Sequence, residues 1–227
     1  MSSERRPGPH DHPGLRRPTV GDARQVPRVD QPGPWHRCTD HGHPQPWWFA
    51  TRTANPAPGR FDLVEPDGTC HLAASASCAI IERVAEPEAD DPPPPTIGEL
   101  AELRVWSGPL DDGRELADTT VASARRLTAE LATIVPFDAL TWPWADTFHE
   151  TGARGLVYTA RFGRDDALAL FGPAGAPDPD DPDDPRRAGD LVPSPALEHT
   201  ADLPAGWQPV AVGNADEFDR APPPEQR

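Results

Sequence analysis

Lysine is absent from these 227 residues, so every basic side chain is an arginine. With 37 acidic against 21 basic groups, the formal charge is −16. Such a chain repels phosphate backbones, and this argues against a role led by nucleic-acid binding, whose affinity rests on neutralising phosphates. Cysteine is scarce as well. Cys38, Cys70 and Cys78 are too few and too odd in number for a disulfide framework, which points to a reducing, cytoplasmic setting. No apolar run approaches the length of a bilayer span, and no apolar segment of signal-peptide type follows Met1-Ser-Ser-Glu-Arg-Arg-Pro. A soluble protein without membrane contact is expected.

Proline and glycine, by contrast, exceed a fifth of the chain, while hydrophobic residues reach only 36%. Without a repeat period, that composition marks unstructured tracts, and the prolines are clustered. Residues 1–34 carry Pro, Arg, His and Gly with hardly an apolar side chain, so they are expected to be disordered. Asp90-Asp91-Pro92-Pro93-Pro94-Pro95 reads as a semi-rigid linker or exposed loop. Asp178 to Pro185 alternates Asp with Pro, which excludes helix and strand, and residues 177–187 read as a solvated acidic insertion. Residues 214–227 form a polar tail. One folded domain is left between the flanks, over residues 35–213.

Within that span, Thr69 to Ala73 reads as a strand. Ser75 is an N-cap for a helix through Val84 that stops before Pro87. Leu103-Arg104-Val105-Trp106 is a further strand, and Val121 to Leu131 contains a helical stretch. From Asp138 to about Glu150, Leu140, Trp144 and Phe148 recur at helical spacing, with Gly152 placed as terminator. Leu156-Val157-Tyr158 and Ala167 to Phe171 flank Gly163-Arg164-Asp165-Asp166, a hairpin pattern. A last strand is expected at Gln208 to Gly213. Strands and helices mix without a βαβ rhythm, so the class is α+β.

Charged residues inside core-like segments are the candidates for chemistry, because an isolated buried charge is costly. Arg60 in Gly59-Arg60-Phe61-Asp62 and Glu82 after Ala79-Ile80-Ile81 stand out; the plainer alternative is a pair of solvated surface charges. Arg60, His71 and Glu82 are evenly spaced, eleven residues apart. A second constellation, His36-Arg37-Cys38-Thr39-Asp40-His41-Gly42-His43, offers imidazole and thiolate ligands for zinc. It lacks a convincing second ligand pair, so a His-rich loop is the preferred reading and no metal is expected. A stand-alone zinc module remains the third alternative. The Asp178–Asp184 run lacks the Gly and terminal Glu of a calcium loop.

In order, Trp35-His36-Arg37, Trp47-Trp48-Phe49, Gly59-Arg60-Phe61-Asp62, Gly68-Thr69-Cys70-His71-Leu72-Ala73 and Ala79-Ile80-Ile81-Glu82 resemble the N-terminal half of the RES domain family. Thr128 to Thr133, Trp144-Ala145-Asp146, Gly155 to Arg161 and Ala169-Leu170-Phe171 are similar to its C-terminal half. The resemblance covers a core of residues 36–172. It implies a single domain with a split, mainly antiparallel β-sheet of ADP-ribosyltransferase-like type around a cleft for NAD. It further implies NAD as substrate, degraded by phosphorolysis or hydrolysis at the nicotinamide–ribose bond, with many members acting as toxins paired with a helix-turn-helix antitoxin.

On that resemblance Glu82, Arg60 and His71 are the catalytic candidates. Arg37, Arg60, His71, Tyr158 and Arg161 are the NAD-binding ones. Glu82 would hydrogen-bond the ribose hydroxyls and stabilise developing positive charge. Arg37 and Arg60 would grip pyrophosphate with planar guanidinium groups. His71 would stack beside nicotinamide or ribose. Two positions depart from the family pattern: its Tyr is His71 here, and its Ser is Ala160. Thr159 does not replace that Ser, because neighbouring strand side chains face opposite sides. A RES domain that binds NAD or a protein partner without turnover is therefore the alternative expectation.

Overall fold

Along Asp166–Pro173, side chains of opposite parity enter two different apolar clusters. Ala167, Ala169 and Phe171 join one, and Leu168 and Leu170 the other. That division is the signature of a strand buried on both faces. It locates the middle of the fold in a computed structural model that describes residues 17–85, 92–111, 113–124 and 141–211.

In chain order the elements are α1 (Val20–Gln25), β1 (Arg28–Val29), β2 (Trp35–Asp40), β3 (Asp67–Ala73) and α2 (Ala76–Val84). There follow α3 (Ile97–Ala101), β4 (Leu103–Gly108), β5 (Leu116–Asp118) and α4 (Thr141–Glu150). The last described elements are β6 (Gly155–Thr159), β7 (Asp166–Pro173), β8 (Val192–Pro195) and two 3₁₀ turns, Ala196–Asp202 and Ala205–Trp207. Among the described residues the strands make one eight-stranded sheet in the order β1-β5-β6-β7-β3-β2-β4-β8. Every neighbour pair is antiparallel except β5 with β6. The domain is thus α+β with a large, mostly antiparallel sheet.

Local chemistry starts and stops the helices. Ser75 Oγ accepts the backbone N–H of Cys78, so α2 begins where the sequence places it. Thr19 with Asp22 and Thr96 with Glu99 form capping boxes for α1 and α3. Gly152 takes φ +84°, a left-handed conformation that ends α4 and favours glycine. The expected start of α4 at Asp138 to Leu140 lies outside the described residues, as does most of Val121–Leu131.

Three expectations change. Residues 17–34 were expected to be disordered, yet they hold α1 and β1. Ala23 and Val26 are buried in the core, and β1 hydrogen-bonds to β5 through its backbone, which needs no apolar side chain. The strand expected at Gln208 to Gly213 reduces, over its described part, to one parallel bridge between Thr96 and Val210. The acidic stretch near residue 180 has neither helix nor strand, but it is not simply solvated. Asp184 is 4% exposed and binds the Arg186 guanidinium and the N–H of Asp178.

What positions the site is a gap in the sheet. β2 is in register with β4 from Trp35↔Gly108 to Asp40↔Leu103, and β3 with β7 from Asp67↔Pro173 to Ala73↔Ala167. β2 and β3 share only the pair His36↔Ala73. Beyond it, the backbone of Thr69 pairs with Ala50 on a separate segment, so β2 cannot close on β3 there. The sheet splits, and α2 follows directly from the end of β3 beside the opening.

Candidate functional site

Odd-numbered residues of β3 (Thr69, His71, Ala73) face the same side as Ala167, Ala169 and Phe171 of β7, and as Leu156 and Tyr158 of β6. In the ladder His71 meets Ala169, and Tyr158 meets Ala167. Alanines between two larger polar rings leave open space, and that space becomes a cavity. Its inner chamber, of about 220 Å³, is lined by Gly59, Arg60, His71, Glu82, Tyr158 and Phe162 among others. An outer cavity of about 250 Å³ occupies the split and adds Arg37, Thr39, His43 and Arg83. His71, Glu82 and Tyr158 line both parts.

Arg60 and Glu82 are therefore brought to one chamber by different routes. Arg60 sits in the turn after Gly59 and is 8% exposed. Burial pulls its guanidinium pKa below the ordinary value, while Tyr158 and the Glu82 carboxylate oppose that and Arg161 adds to it. Glu82 comes from the last turns of α2. Its Oε1 accepts the backbone N–H of Phe162 at 2.6 Å and of Gly163 at 3.1 Å. One carboxylate oxygen is thus locked by the turn after β6, and among the described residues none hydrogen-bonds the other.

The remaining polar groups form a chain. The buried Asp62 carboxylate accepts the N–H of Gly59 at 2.8 Å through Oδ2, and its Oδ1 lies 3.2 Å from His71 Nε2. His71 Nδ1 lies 3.5 Å from Tyr158 Oη. Tyr158 is buried edge-on against Phe61, with ring centroids 4.8 Å apart. Burial, then the charge of Glu82, raises its ionisation above the ordinary range, so the phenol stays protonated. The Trp142 indole N–H donates to the carbonyl of Gly59, tying this turn to α4.

Arg37 has the parity of Trp35, so its side chain starts on the face of the sheet that carries Cys70, opposite to His71. Its guanidinium donates to Cys70 Sγ and to the carbonyl of Trp48. It still lines the outer cavity. Arg161 stacks on Phe162, 4.9 Å from the ring centroid, and does not line either part of the cavity. Ala160, one residue past β6, is 2% exposed and packs into the core, while Thr159 is exposed on the opposite side. Neither residue offers a hydroxyl on the core side of the strand here.

The His36–His43 stretch does not converge on a point. His36 bonds Ser107 at 2.7 Å, His41 lies 3.3 Å from Arg104, and burial pushes the Cys38 thiol up to about 12. Among the described residues, no group of three His, Cys, Asp or Glu side chains is placed to hold a metal ion. No described helix is long and apolar enough to cross a membrane.

Two contributors were not singled out from sequence. Asp62 has a local signal, since Gly-x-x-Asp is a turn in which the side chain can cap the glycine N–H. The N–H groups of Phe162 and Gly163 have none, because only the tertiary fold carries them to Glu82.

The RES domain model matches residues 34–190, more than two thirds of the chain. The protein belongs to the RES domain family. A chain of the crystal structure of the M. tuberculosis MbcT–MbcA toxin–antitoxin complex has a similar fold, with a TM-score of 0.57 and 14% identity. That likeness covers 80% of the present chain and 94% of the other. No curated protein matches the sequence. In this RES domain, the split between β2 and β3 forms the cleft, and Arg60, His71, Glu82 and Tyr158 surround its inner end.

Proposed function

We propose that this RES protein degrades NAD at the nicotinamide–ribose bond, passing the ADP-ribosyl group to phosphate or water. The observation that carries this reading is the chamber in which Arg60 and a backbone-anchored Glu82 line a common space. The residues suit the ligand. Arg60 inside and Arg37 in the outer cavity offer planar donors to pyrophosphate oxygens, which a dinucleotide presents at its centre. Imidazole and phenol beside them provide surfaces and hydrogen bonds for ribose and nicotinamide.

Cleavage of that bond moves its electron pair to the nicotinamide ring, which leaves neutral, and positive charge grows on the ribose. The free oxygen of Glu82 would stabilise this charge and hold the ribose hydroxyls. It needs no reorganisation, because two N–H donors already fix the carboxylate. The acceptor oxygen then bonds to the anomeric carbon, and its proton goes to solvent. Because the fold is shared with a chain of a toxin–antitoxin complex, we extend the proposal to a cytoplasmic toxin neutralised by a protein antitoxin, of helix-turn-helix type.

Incubating the purified protein with NAD, with and without phosphate, tests the activity. Release of nicotinamide is expected; unchanged NAD would count against it. Ala160 favours one other reading, a domain that binds NAD without turnover. Calorimetry that registers NAD binding while nicotinamide release stays at background would select it.

A further inference from the structure

Asp62 takes no part in the chemistry proposed above, yet it is 1% exposed and lies at the edge of the chamber. Both of its oxygens are committed. Oδ2 accepts the Gly59 N–H at 2.8 Å, and Oδ1 lies 3.2 Å from His71 Nε2. The turn is shaped for this contact. A Cβ on Gly59 would lie 2.8 Å from Asp62 Oδ1 and 3.1 Å from His71 Nε2, so only glycine lets the backbone close over the pair.

The proton positions follow from donor and acceptor rules. A carboxylate only accepts, so the bond to Oδ1 requires a proton on Nε2. A neutral imidazole protonated at Nε2 carries a lone pair at Nδ1. The group across from Nδ1 is the Tyr158 hydroxyl, and its buried phenol keeps its proton. Tyr158 therefore donates to His71, and its oxygen lone pairs remain for another partner. Were His71 protonated at Nδ1 instead, Tyr158 would accept from the ring and its own proton would point elsewhere.

We propose that Asp62 is a positioning residue that fixes the tautomer of His71 and thereby makes the Tyr158 oxygen a hydrogen-bond acceptor toward the chamber. The site then selects substrates that present a hydroxyl donor there, the chemistry of a sugar ring. This selectivity rests on the function proposed above, whereas the Asp62–His71–Tyr158 relay does not.

Long-range proton–nitrogen correlation of the imidazoles in the ¹⁵N-labelled full-length protein reads the tautomer directly. It is recorded well above the ordinary imidazole titration range, with His71 assigned by its loss in His71→Gln. The expected signature is a proton on Nε2 and a bare Nδ1. A ring protonated on Nδ1, alone or on both nitrogens, overturns the relay. In Asp62→Asn the side-chain oxygen must still accept from Gly59, which turns the amide NH₂ toward Nε2 and is expected to move the ring proton to Nδ1. An unchanged tautomer in a folded Asp62→Asn also overturns it; if that variant does not fold, the wild-type spectrum decides alone.

In turnover, Asp62→Asn is expected to lower kcat on the order of 10-fold to 100-fold, the scale at which carboxylates orient functional histidines. Adding it to Tyr158→Phe should cost nothing further, since both act through one oxygen. Additive losses overturn the coupling. A wild-type protein that leaves NAD intact refutes the proposed function, while the tautomer still decides the relay.

Discussion

The two ends of the cleft are built differently. At the inner end the polar groups are held in place by the fold: Arg60 is buried, one oxygen of Glu82 is pinned by two N–H groups, and His71 lies between Asp62 and Tyr158. At the outer end the charges are wet. Arg83 pairs with Asp40 at 2.6 Å with both side chains about half exposed, and His43 is exposed. Charges that the fold orders beforehand need no reorganisation when charge develops beside them. On the function proposed above, bond breaking belongs to the inner end, and grip is shared between Arg60 there and Arg37 at the outer end.

Glu82→Gln tests the inner end most severely. The glutamine oxygen would keep the two N–H bonds and its NH₂ would replace the free carboxylate oxygen. The expected result is a loss of about 10²–10³ in kcat with little change in KM. A variant that retained kcat would remove the distinction between the two ends.

Next in size is alkaline stability. Burial pushes the thiols of Cys38, at the outer cavity, and Cys78, on α2, up to about 12, with Glu82 and Asp165 adding to the rise at Cys78. The folded protein then holds protons that the unfolded chain gives up from about pH 8.5. This contribution is complete below that pH and is lost as pH climbs toward 12, by about 1.4 kcal/mol per pH unit for each thiol. Urea unfolding of wild type, Cys38→Ala and Cys78→Ala across that window should show each variant with a shallower decline. Equal slopes in all three would show that neither thiol contributes.

Arg37→Ala probes the outer end. KM for NAD should rise about tenfold, worth about 1.4 kcal/mol, with kcat nearly unchanged. A fall in kcat instead would place Arg37 in the chemistry. The smallest effect is expected from Ala160→Ser, which adds one hydroxyl at a buried position worth about 1 kcal/mol, measured as a gain in turnover of less than about tenfold. A larger gain would show that a serine at this position orients a reacting group.

Parts of this site were readable from the sequence, and the readable parts share a physical cause. Ser75 signals the start of α2, and that start sets how far along the helix Glu82 stands. Period-two patterning tells which face His71 and Tyr158 take once their strands are recognised. Gly163-Arg164 marks the turn between β6 and β7. The capped helix at Thr19 was missed, because the surrounding Pro and Arg residues outweighed the short capping pattern. Asp62 was seen only as part of a motif, since its function depends on a histidine across the fold.

By itself, the sequence determined the α+β class, the family, the caps of the helices and the face each strand residue takes, because all of these depend on neighbours within a few positions. Only the tertiary structure decided that β3 pairs with Ala50 beyond His36↔Ala73 and so opens a cleft. Only it brought the N–H groups of Phe162 and Gly163 to Glu82, some 80 residues away in the chain. Such contacts depend on which backbone edges remain unpaired after packing, and no local periodicity records that.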